Sequence, residues 1–255
     1  QAMRLSELPH GAWPCNTLGN HDTRRVWSRY GDGIHDAALA RLHVALILTL
    51  KGTPFLYNGE EIGMSDLVLS DLSEMRDTMA ILQYHTMVEQ LGKTHAEALS
   101  AAIESTRDRC RSPMQWSDAP NSGFSPPDVQ PWLPVNANYA SGVNVAAQLG
   151  DPGSLLSFYR RMLRLRRATP ALIAGDYHAL HAHGDDYLAF LRHDDASVQT
   201  CLVVLNFTDA EQTAIFDQSD KQPRLLFSSH PRDDQPLTLD WLALAPFEVL
   251  IVELA

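Results

Sequence analysis

Two short apolar segments flank a long apolar helix in the first sixty residues of the chain. "WPCNTLGN" (13–20) and "TPFLYNGEE" (53–61) each start apolar and end in polar residues. Between them, "DAALARLHVALILTL" (36–50) has helical spacing at its start and is apolar on nearly every side in its second half. A strand, a buried helix and a second strand at this spacing predict a parallel βαβ unit, and therefore an α/β fold.

The pattern of apolar and polar residues changes twice after this unit. Helices are predicted over about 71–91 and 94–105, before an irregular segment rich in Pro, Asn, Gly and Trp, of the kind that forms lids and rims. A last helix is predicted in "GSLLSFYRRMLRLRRATPAL", with Pro170 marking its end. From about Gly175, short strand-like runs separated by Asp, Asn, Gly and Pro predict an all-β module.

Charge and cysteine content narrow the class of partner and the compartment. Acidic residues outnumber basic ones by 31 to 20, for a formal charge of −11 in 255 residues. This balance argues against a nucleic-acid or membrane partner and favours a neutral small molecule. Three widely separated cysteines argue against a disulfide framework and favour a cytoplasmic location. They are Cys15, Cys110 and Cys201.

The triplet Asn20-His21-Asp22 follows the first predicted strand, where a core strand should be ending. Polar residues at the carboxyl end of a parallel strand lie at the rim where α/β barrels carry their chemistry. A carboxylate there can accept two sugar hydroxyls, and a neutral imidazole beside it can donate one hydrogen bond. The alternative is that Asp22 caps a helix N-terminus and that the histidine is incidental.

Several segments resemble one family in order and spacing. "TLGNHDTRRVWSRYGDG", "KGTPFLYNGEEIGM", "TRDRCRSPMQW" and "NSGF" are similar to motifs of the α-amylase superfamily of glycoside hydrolases, most of all its α-glucosidase and oligo-1,6-glucosidase branch. The resemblance implies strands 7 and 8 of a (β/α)8 TIM barrel, followed by an antiparallel β-sandwich domain. Residues 1–173 would then be a partial catalytic barrel, with a long strand-8 loop insertion at about 60–152, and residues 174–255 the C-terminal all-β domain.

The resemblance also implies roles for individual residues. Asp22 matches the aspartate that binds the sugar 2- and 3-hydroxyls and stabilises the transition state, and His21 matches its sugar-binding neighbour. Arg107 matches an arginine that contacts the glucose at the end of the pocket, and Arg25 matches a supporting arginine of the same motif as Asp22. Family positions where packing is at least as plausible as substrate contact are Arg111, Gln115 and Trp116.

Two catalytic carboxylates of the family have no match in these residues. The family's nucleophile follows a G-x-R-x-D pattern and its acid ends the next strand, both before strand 7. We therefore expect the C-terminal part of a longer retaining α-glucosidase, whose partner is the missing N-terminal half of the barrel. Alone, the 255-residue chain should be poorly stable, because two strands cannot close a barrel, and inactive, because covalent catalysis needs the nucleophile. No cofactor or metal is expected.

Substrate preference and competing functions stay open. Met79 stands where many oligo-1,6-glucosidases have a glutamate that reaches the second sugar, so α-1,4 and α-1,6 bonds are both plausible. Alternatives are a glucosyltransferase or isomerase of the trehalose synthase or sucrose isomerase type, a non-catalytic relative such as a transporter heavy subunit, and a free-standing carbohydrate-binding fragment. The histidines of "YHALHAHGD" could suggest a metal site, but exposed strand histidines are the favoured interpretation. They are His178, His181 and His183.

Overall fold

The computed structural model describes residues 12–181, 186–216, 221–232 and 237–254. The chain forms two compact units. The first contains the chain up to Leu18, His35–Phe55 and the chain from Phe158 onward, and the second contains Gly19–Ile34 and Leu56–Ser157. The segment Gly19–Ile34, which carries Asp22, therefore lies in the second unit together with the irregular segment.

The helices and strands follow in chain order. The helices are α1 (Val26–Tyr30), α2 (Asp36–Thr49), α3 (Thr78–Glu89), α4 (His95–Ser105), α5 (Val145–Leu149), α6 (Leu155–Ala168) and α7 (Pro170–Ala174). The strands are β1 (Cys15–Thr17), β2 (Thr53–Phe55), β3 (Asp176–His181), β4 (Tyr187–Asp194), β5 (Gln199–Asn206), β6 (Gln212–Ala214), β7 (Pro223–Ser228), β8 (Leu242–Leu244) and β9 (Val249–Leu254). Short 3-10 turns lie at Glu60–Ile62, Leu72–Glu74, Arg107–Cys110, Pro120–Gly123 and Ala137–Ser141.

The parallel βαβ unit predicted from the sequence is confirmed in the first unit. β1 and β2 pair in parallel, with Cys15 opposite Thr53 and Thr17 opposite Phe55. Leu42, Ala45 and Leu48 of the connecting helix α2 are completely buried. This burial accounts for the nearly continuous apolar sequence of its second half, because a helix covered on most sides needs no polar face.

The C-terminal part of the first unit is antiparallel. Its five-stranded sheet has the order β3-β4-β5-β9-β7, and β6 pairs with β8 in a separate two-stranded sheet. β5 and β9 are buried on both faces. Alternate side chains, such as Leu202 and Val252, join an apolar cluster with residues of β6 and β8. The α/β class is thus confirmed, and β3 to β9 lie in the region for which the sequence predicted short strands.

One charged side chain is buried on the opposite face of this sheet. Arg192 on β4 is completely buried and pairs across the sheet with Cys201. Its guanidinium donates to the carbonyl oxygens of Thr49, Leu172 and Gly175. Arg192 therefore ties α2, α7 and the start of β3 to the sheet. Burial lowers the pKa of its guanidinium to about 10, because charge is disfavoured away from water.

The second unit contains a pair of packed helices and a long irregular segment. α3 and α4 pack against each other. Asp77 caps α3 by accepting a hydrogen bond from the Met79 backbone N–H. Thr94 and Glu97 form a reciprocal capping box at the start of α4, which satisfies two of the N–H groups that a helix leaves unpaired at its N-terminus. Both helices pack on an apolar cluster that includes Leu67, Leu69, Met75, Ala80, Ala102 and Leu133.

Two helix boundaries differ from those predicted. The helix predicted over about 71–91 begins at Thr78, because Asp71 and Glu74 form their own capping box around a single 3-10 turn and Met75 is extended. The last long helix ends at Ala168, and Pro170 begins α7 instead of only ending α6. Proline is favoured at the first position of a helix, where its missing N–H would have no partner.

Within the described ranges, the helices are too short or too polar to cross a membrane. The thiols of Cys15, Cys110 and Cys201 are free.

Candidate active site

A tight turn after β1 carries His21 and Asp22. The side-chain oxygen of Asn20 accepts a hydrogen bond from the Asp22 backbone N–H at 2.8 Å, and the Asn20 N–H donates to the Thr23 hydroxyl at 3.1 Å. This turn leaves the Asp22 side chain 50% exposed. Asp22 does not cap a helix, because the N-cap of α1 is Arg25. The alternative that Asp22 is a helix cap is therefore wrong.

Arg111 holds the Asp22 turn at two points. Its Nη2 donates to Asp22 Oδ1 at 2.7 Å, and its Nε donates to the His21 carbonyl oxygen at 2.7 Å. A planar guanidinium suits such a double contact, because its donors point in fixed directions. The other carboxylate oxygen of Asp22, Oδ2, lies 3.4 Å from His21 Nε2. Arg111 therefore restrains both the backbone and the carboxylate of the turn.

Arg107 reaches the same carboxylate from a second anchor. Its Nε and Nη2 donate to Asp77 Oδ2 and Oδ1 at 2.8 and 2.9 Å, which is a bidentate pair. The remaining nitrogen, Nη1, lies 3.5 Å from Asp22 Oδ1. Asp77 itself is buried, and its Oδ2 also accepts from the Arg107 backbone N–H at 3.0 Å.

The Asp77–Arg107 pair changes the proton affinity of both groups. The hydrogen bonds from Arg107 hold the pKa of the Asp77 carboxyl well below its usual range. The same hydrogen bonds raise the pKa of the Arg107 guanidinium further above its ordinary value. Both groups are therefore charged at neutral pH, and Arg107 presents a fixed cation beside Asp22.

Asp108 fixes the segment that carries Asp77. Its buried carboxylate oxygen Oδ2 accepts hydrogen bonds from the backbone N–H groups of Arg76 and Asp77, at 2.5 and 2.7 Å. The Arg107-Asp108 dipeptide therefore contacts the start of α3 twice, through the side chain of each residue. This double contact sets the distance between α3 and the 3-10 turn at Arg107–Cys110.

Arg25 lies apart from this group. It is completely buried, its backbone N–H donates to Asp66 Oδ1 at 2.8 Å, and its Nη1 donates to the Asn58 carbonyl at 2.9 Å. Its guanidinium lies over the Tyr57 ring, 5.1 Å from the centroid. Burial lowers the pKa of the Arg25 guanidinium. Arg25 thus links the Asp22 segment to the loop after β2.

Glu60 is a buried acid close to Arg25. It is 7% exposed, and burial raises the pKa of its carboxyl to about 7. Its Oε2 accepts from the Tyr57 backbone N–H at 3.3 Å, whereas Oε1 has no hydrogen-bond partner among the described residues. A β-carbon at Gly19 would lie 2.1 Å from that Oε1, so the glycine leaves room for the carboxylate.

A cavity of about 410 Å³ opens beside the Asp22 turn. Two of its lining residues, His21 and Arg111, contact Asp22. The other residues that line it are Tyr57, Asn58, Ser112, Pro113, Met114, Phe124 and Trp132. All of them belong to the second unit.

The structure brings three of the four candidate residues together. His21 and Arg107 each contact Asp22, and Arg25 does not join them. Asp77 is not among the residues predicted from the sequence, because the helix predicted over about 71–91 places it inside a helix. An aspartate directly before an apolar helical run is a cap signal that could have identified the boundary. The contact of Arg111 with Asp22, which joins residues 89 positions apart, has no local signal in the sequence.

No cluster of three or more His, Cys, Asp or Glu side chains arranged to hold a metal ion occurs in the described parts of the chain. His178 lies on β3, only the backbone of His181 is described, and His183 lies outside the described residues.

The family described as Alpha amylase, catalytic domain, matches residues 2–175. The chain therefore belongs to the α-amylase family, as its motifs suggest. Probable oligo-1,6-glucosidase 2 of Bacillus subtilis (strain 168) is 33% identical over 247 residues, which cover 95% of this chain and 42% of the relative. The chain thus spans less than half the length of this relative.

Solved structures agree with this assignment. Trehalulose synthase MutB from Pseudomonas mesoacidophila MX-45 superposes with a TM-score of 0.83 at 33% identity, over 95% of this chain and 43% of that one. Trehalose-6-phosphate hydrolase of Bacillus licheniformis superposes with a TM-score of 0.80 at 30% identity, over 96% of this chain and 44% of that one.

Proposed function

We propose that these residues supply the Asp22 side of the active site of a retaining α-glucosidase that acts on short oligosaccharides or disaccharides through α-1,4 or α-1,6 bonds. The observation that carries the proposal is the half-exposed Asp22 carboxylate, held from one side by Arg111 and Arg107. A carboxylate restrained in this way, with its exposed part open to solvent, can accept hydroxyl groups of a sugar ring without losing rotational freedom on binding.

The roles of the site residues follow from their positions. Asp22 accepts the sugar 2- and 3-hydroxyls and binds them more tightly as the ring flattens toward an oxocarbenium-like transition state. His21 donates a further hydrogen bond to the sugar. Arg107 contacts the same ring and restrains the Asp22 carboxylate, and buried Arg25 supports the turn from behind. The nucleophile and the acid, about 5–5.5 Å apart in retaining enzymes, come from the half of the barrel that these residues do not contain.

The finer architecture is part of the same proposal. β1, α2 and β2 would be the strand-7 and strand-8 portion of the barrel, residues 60–152 the strand-8 loop insertion, and β3–β9 the antiparallel β-sandwich of residues 174–255. The parallel pairing of β1 with β2 supports the first part, and the antiparallel order of the C-terminal sheets supports the last. We propose a cytoplasmic location from the cysteine content.

Sugar binding by the chain itself tests the role of Asp22. Saturation-transfer-difference NMR with glucose and maltose should detect weak binding to the 255-residue chain, because one wall of the site is present. Asp22→Asn should remove it, because the amide loses the charge and one acceptor. Exposed Asp118 lies in the same unit, so Asp118→Asn is the matched control and should keep binding. Equal binding by Asp22→Asn and Asp118→Asn would contradict the proposal.

A hydrolysis assay tests the proposal that the nucleophile and the acid come from outside these 255 residues. The purified 255-residue chain should release no glucose from maltose, isomaltose or a chromogenic α-glucoside, because covalent catalysis requires the nucleophile. Turnover that survives purification and disappears in Asp22→Asn would mean that these residues contain a complete site.

A second candidate is glucosyl transfer or isomerisation on the same site. The similarity to trehalulose synthase MutB favours it, because that enzyme's fold is matched as well as the hydrolases'. The two candidates share the Asp22 role and differ in the acceptor, water or a sugar hydroxyl. Product analysis of an active, complete protein with sucrose would separate them: an isomer supports transfer, and free glucose with fructose supports hydrolysis.

A further inference from the structure

The segment "NSGF" (121–124) forms a turn with an unusual backbone. Asn121, Ser122 and Gly123 all have positive φ, at 54°, 54° and 67°. Residues other than glycine seldom adopt this left-handed region, because the β-carbon crowds the backbone, and two in succession persist only where the surrounding structure holds them. At Gly123 a β-carbon would also lie 2.5 Å from Ser117 Oγ. Contacts from outside the turn must therefore maintain its conformation.

The segment before the turn fixes Ser122. This residue is completely buried, and its carbonyl oxygen accepts hydrogen bonds from the backbone N–H groups of Trp116 and Ser117 at 2.9 and 3.0 Å. Its hydroxyl donates to the Met114 carbonyl oxygen at 3.2 Å. Met114 lines the cavity beside the Asp22 turn. One side of the "NSGF" turn is thus joined to the wall of that cavity.

The side chain of Asn121 fixes the segment after the turn. Its Nδ2 donates to the Ser125 hydroxyl at 3.1 Å, and to the carbonyl oxygens of Pro126 and Val129 at 2.9 and 3.0 Å. The amide has two hydrogens for these three acceptors, so one hydrogen is shared. Asparagine suits this position because it tolerates positive φ and also supplies a donor, whereas aspartate tolerates positive φ but supplies no donor when ionised.

Phe124 extends from the turn into the wall of the cavity. Its backbone N–H donates to the Asn121 carbonyl oxygen at 2.9 Å. Its side chain is 44% exposed and lines the cavity together with His21 and Arg111, which contact Asp22. Packing restrains a half-exposed ring less than a buried one, so the position of this ring depends on the backbone from which it extends.

We propose that Asn121 is a positioning residue of the candidate active site, whose side chain holds the left-handed turn that places Phe124 in the cavity wall. The inference rests on the proposed function, because the ring would contact the sugar there. The alternative is that Asn121 only stabilises the irregular segment. Both roles use the same hydrogen bonds, but only the first requires Asn121 to act on sugar binding through Phe124.

Saturation-transfer-difference titrations of the 255-residue chain with maltose test this role. Asn121→Gly keeps positive φ accessible and removes the side-chain hydrogen bonds. It should weaken maltose binding about three- to tenfold, as should Phe124→Ala, because each removes the contact of one placed aromatic ring. Asn121→Asp should weaken binding at least as much. Asp128→Gly adds a glycine at an exposed position of the same segment, away from the cavity lining, and should leave the affinity unchanged.

A double-mutant cycle separates positioning from a purely structural role. If Asn121 acts through Phe124, Asn121→Gly should change maltose affinity by less than about twofold in a chain that already carries Phe124→Ala. If the losses of the two single variants multiply instead, Asn121 acts independently of Phe124 and the positioning role is wrong. Wild-type maltose affinity in a folded Asn121→Gly protein would also overturn it.

The Phe124 ring can also be observed without sugar. Its ring-proton chemical shifts should move in Asn121→Gly and stay constant in Asp128→Gly. If they move but Asp22→Asn leaves sugar binding intact, Asn121 positions the ring and the proposed function is wrong. If Asp22→Asn removes sugar binding and the Phe124 shifts do not move, the proposed function stands and the role of Asn121 is wrong.

A measurement on the unaltered chain avoids dependence on the folding of a variant. Saturation of the Phe124 ring protons should transfer to bound maltose, because the ring lies in the cavity wall. If transfer reaches maltose from His21 and none comes from Phe124, the ring does not contact the sugar and the positioning role is overturned.

Discussion

Asp77 accepts two parallel hydrogen bonds from the Arg107 guanidinium, at 2.8 and 2.9 Å, and the third guanidinium nitrogen lies 3.5 Å from Asp22. The orientation of Arg107 is therefore set by a residue that does not itself reach Asp22. Asp77 also caps α3, so the helix and the arginine share one carboxylate. Asp77 is in this sense a positioning residue for the proposed sugar site.

Asp77→Asn should weaken sugar binding, because an amide cannot accept both guanidinium bonds and Arg107 loses its fixed direction. We expect a three- to tenfold loss of glucose affinity in saturation-transfer-difference titrations, from the loss of about 1 kcal/mol of orientation. Asp71→Asn makes the same change at the cap of another turn in the same unit and should leave affinity unchanged. An Asp77→Asn protein that folds and binds glucose as well as wild type would exclude the positioning role.

The contribution of the Asp77–Arg107 pair to the unfolding free energy should also depend on pH. Arg107 lowers the pKa of Asp77, so the contribution is fully present above the carboxyl's unfolded pKa of about 4 and is lost as the pH falls through its folded value. The difference in unfolding free energy between wild type and Asp77→Asn should be constant from pH 5 to 7 and shrink below pH 4. Urea titrations at these pH values measure it, and a difference that grows in acid would have the wrong sign.

Glu60 should destabilise the fold as the pH rises. Its folded pKa of about 7 lies above the ordinary value of 4.5, so between these values the unfolded chain has lost the proton and the folded chain keeps it. The contribution of Glu60 to the unfolding free energy is therefore most favourable below pH 4.5. It falls between pH 4.5 and 7 and is least favourable above pH 7. Glu60→Gln should be more stable than wild type at pH 8, by up to about 3 kcal/mol, and nearly equal at pH 4.5.

Glu104→Gln is the control for Glu60→Gln, because Glu104 is an exposed glutamate of the same unit. It should show no such rise between pH 4.5 and 8. If Glu60→Gln and wild type keep the same difference in unfolding free energy throughout this range, the pKa of Glu60 is not raised in the fold.

Arg111 should be sensitive to the shape of its side chain as well as to its charge. Arg111→Lys keeps the cation but cannot donate to both Asp22 Oδ1 and the His21 carbonyl from one rigid group. We expect Arg111→Lys to lose about three- to tenfold in glucose affinity, and Arg111→Gln to lose at least as much. If Arg111→Lys binds glucose as tightly as wild type, Arg111 acts through its charge alone.

Arg192 provides a test in the other unit. Because its partners are carbonyl oxygens of three different segments, Arg192→Ala should lower the unfolding free energy by about 3–5 kcal/mol, since those carbonyls are left buried without donors. Arg192→Lys should cost less, because the ammonium can satisfy part of the set. Arg160→Lys, at an exposed position of α6, should change stability by less than about 0.5 kcal/mol.

Local patterns were enough to predict the parallel βαβ unit, the helix at α4 and the β-rich C-terminal region. In α2, the run from Val44 to Leu48 is apolar because the helix is covered on most sides, so its burial can be predicted directly from the sequence. The family motifs pointed to Asp22, His21 and Arg107 because each of these residues lies in a short contiguous segment that resembles the family as a whole.

Long-range contacts were decided by the tertiary structure alone. The helix before Thr78 was predicted too long, because apolar spacing cannot register that Asp71 and Glu74 satisfy each other in a separate turn. The contacts of Arg111 with Asp22 and of Arg107 with Asp77 join residues 89 and 30 positions apart. A charged side chain looks the same in sequence whether it faces water or a partner, so only the fold determines that these arginines hold the site.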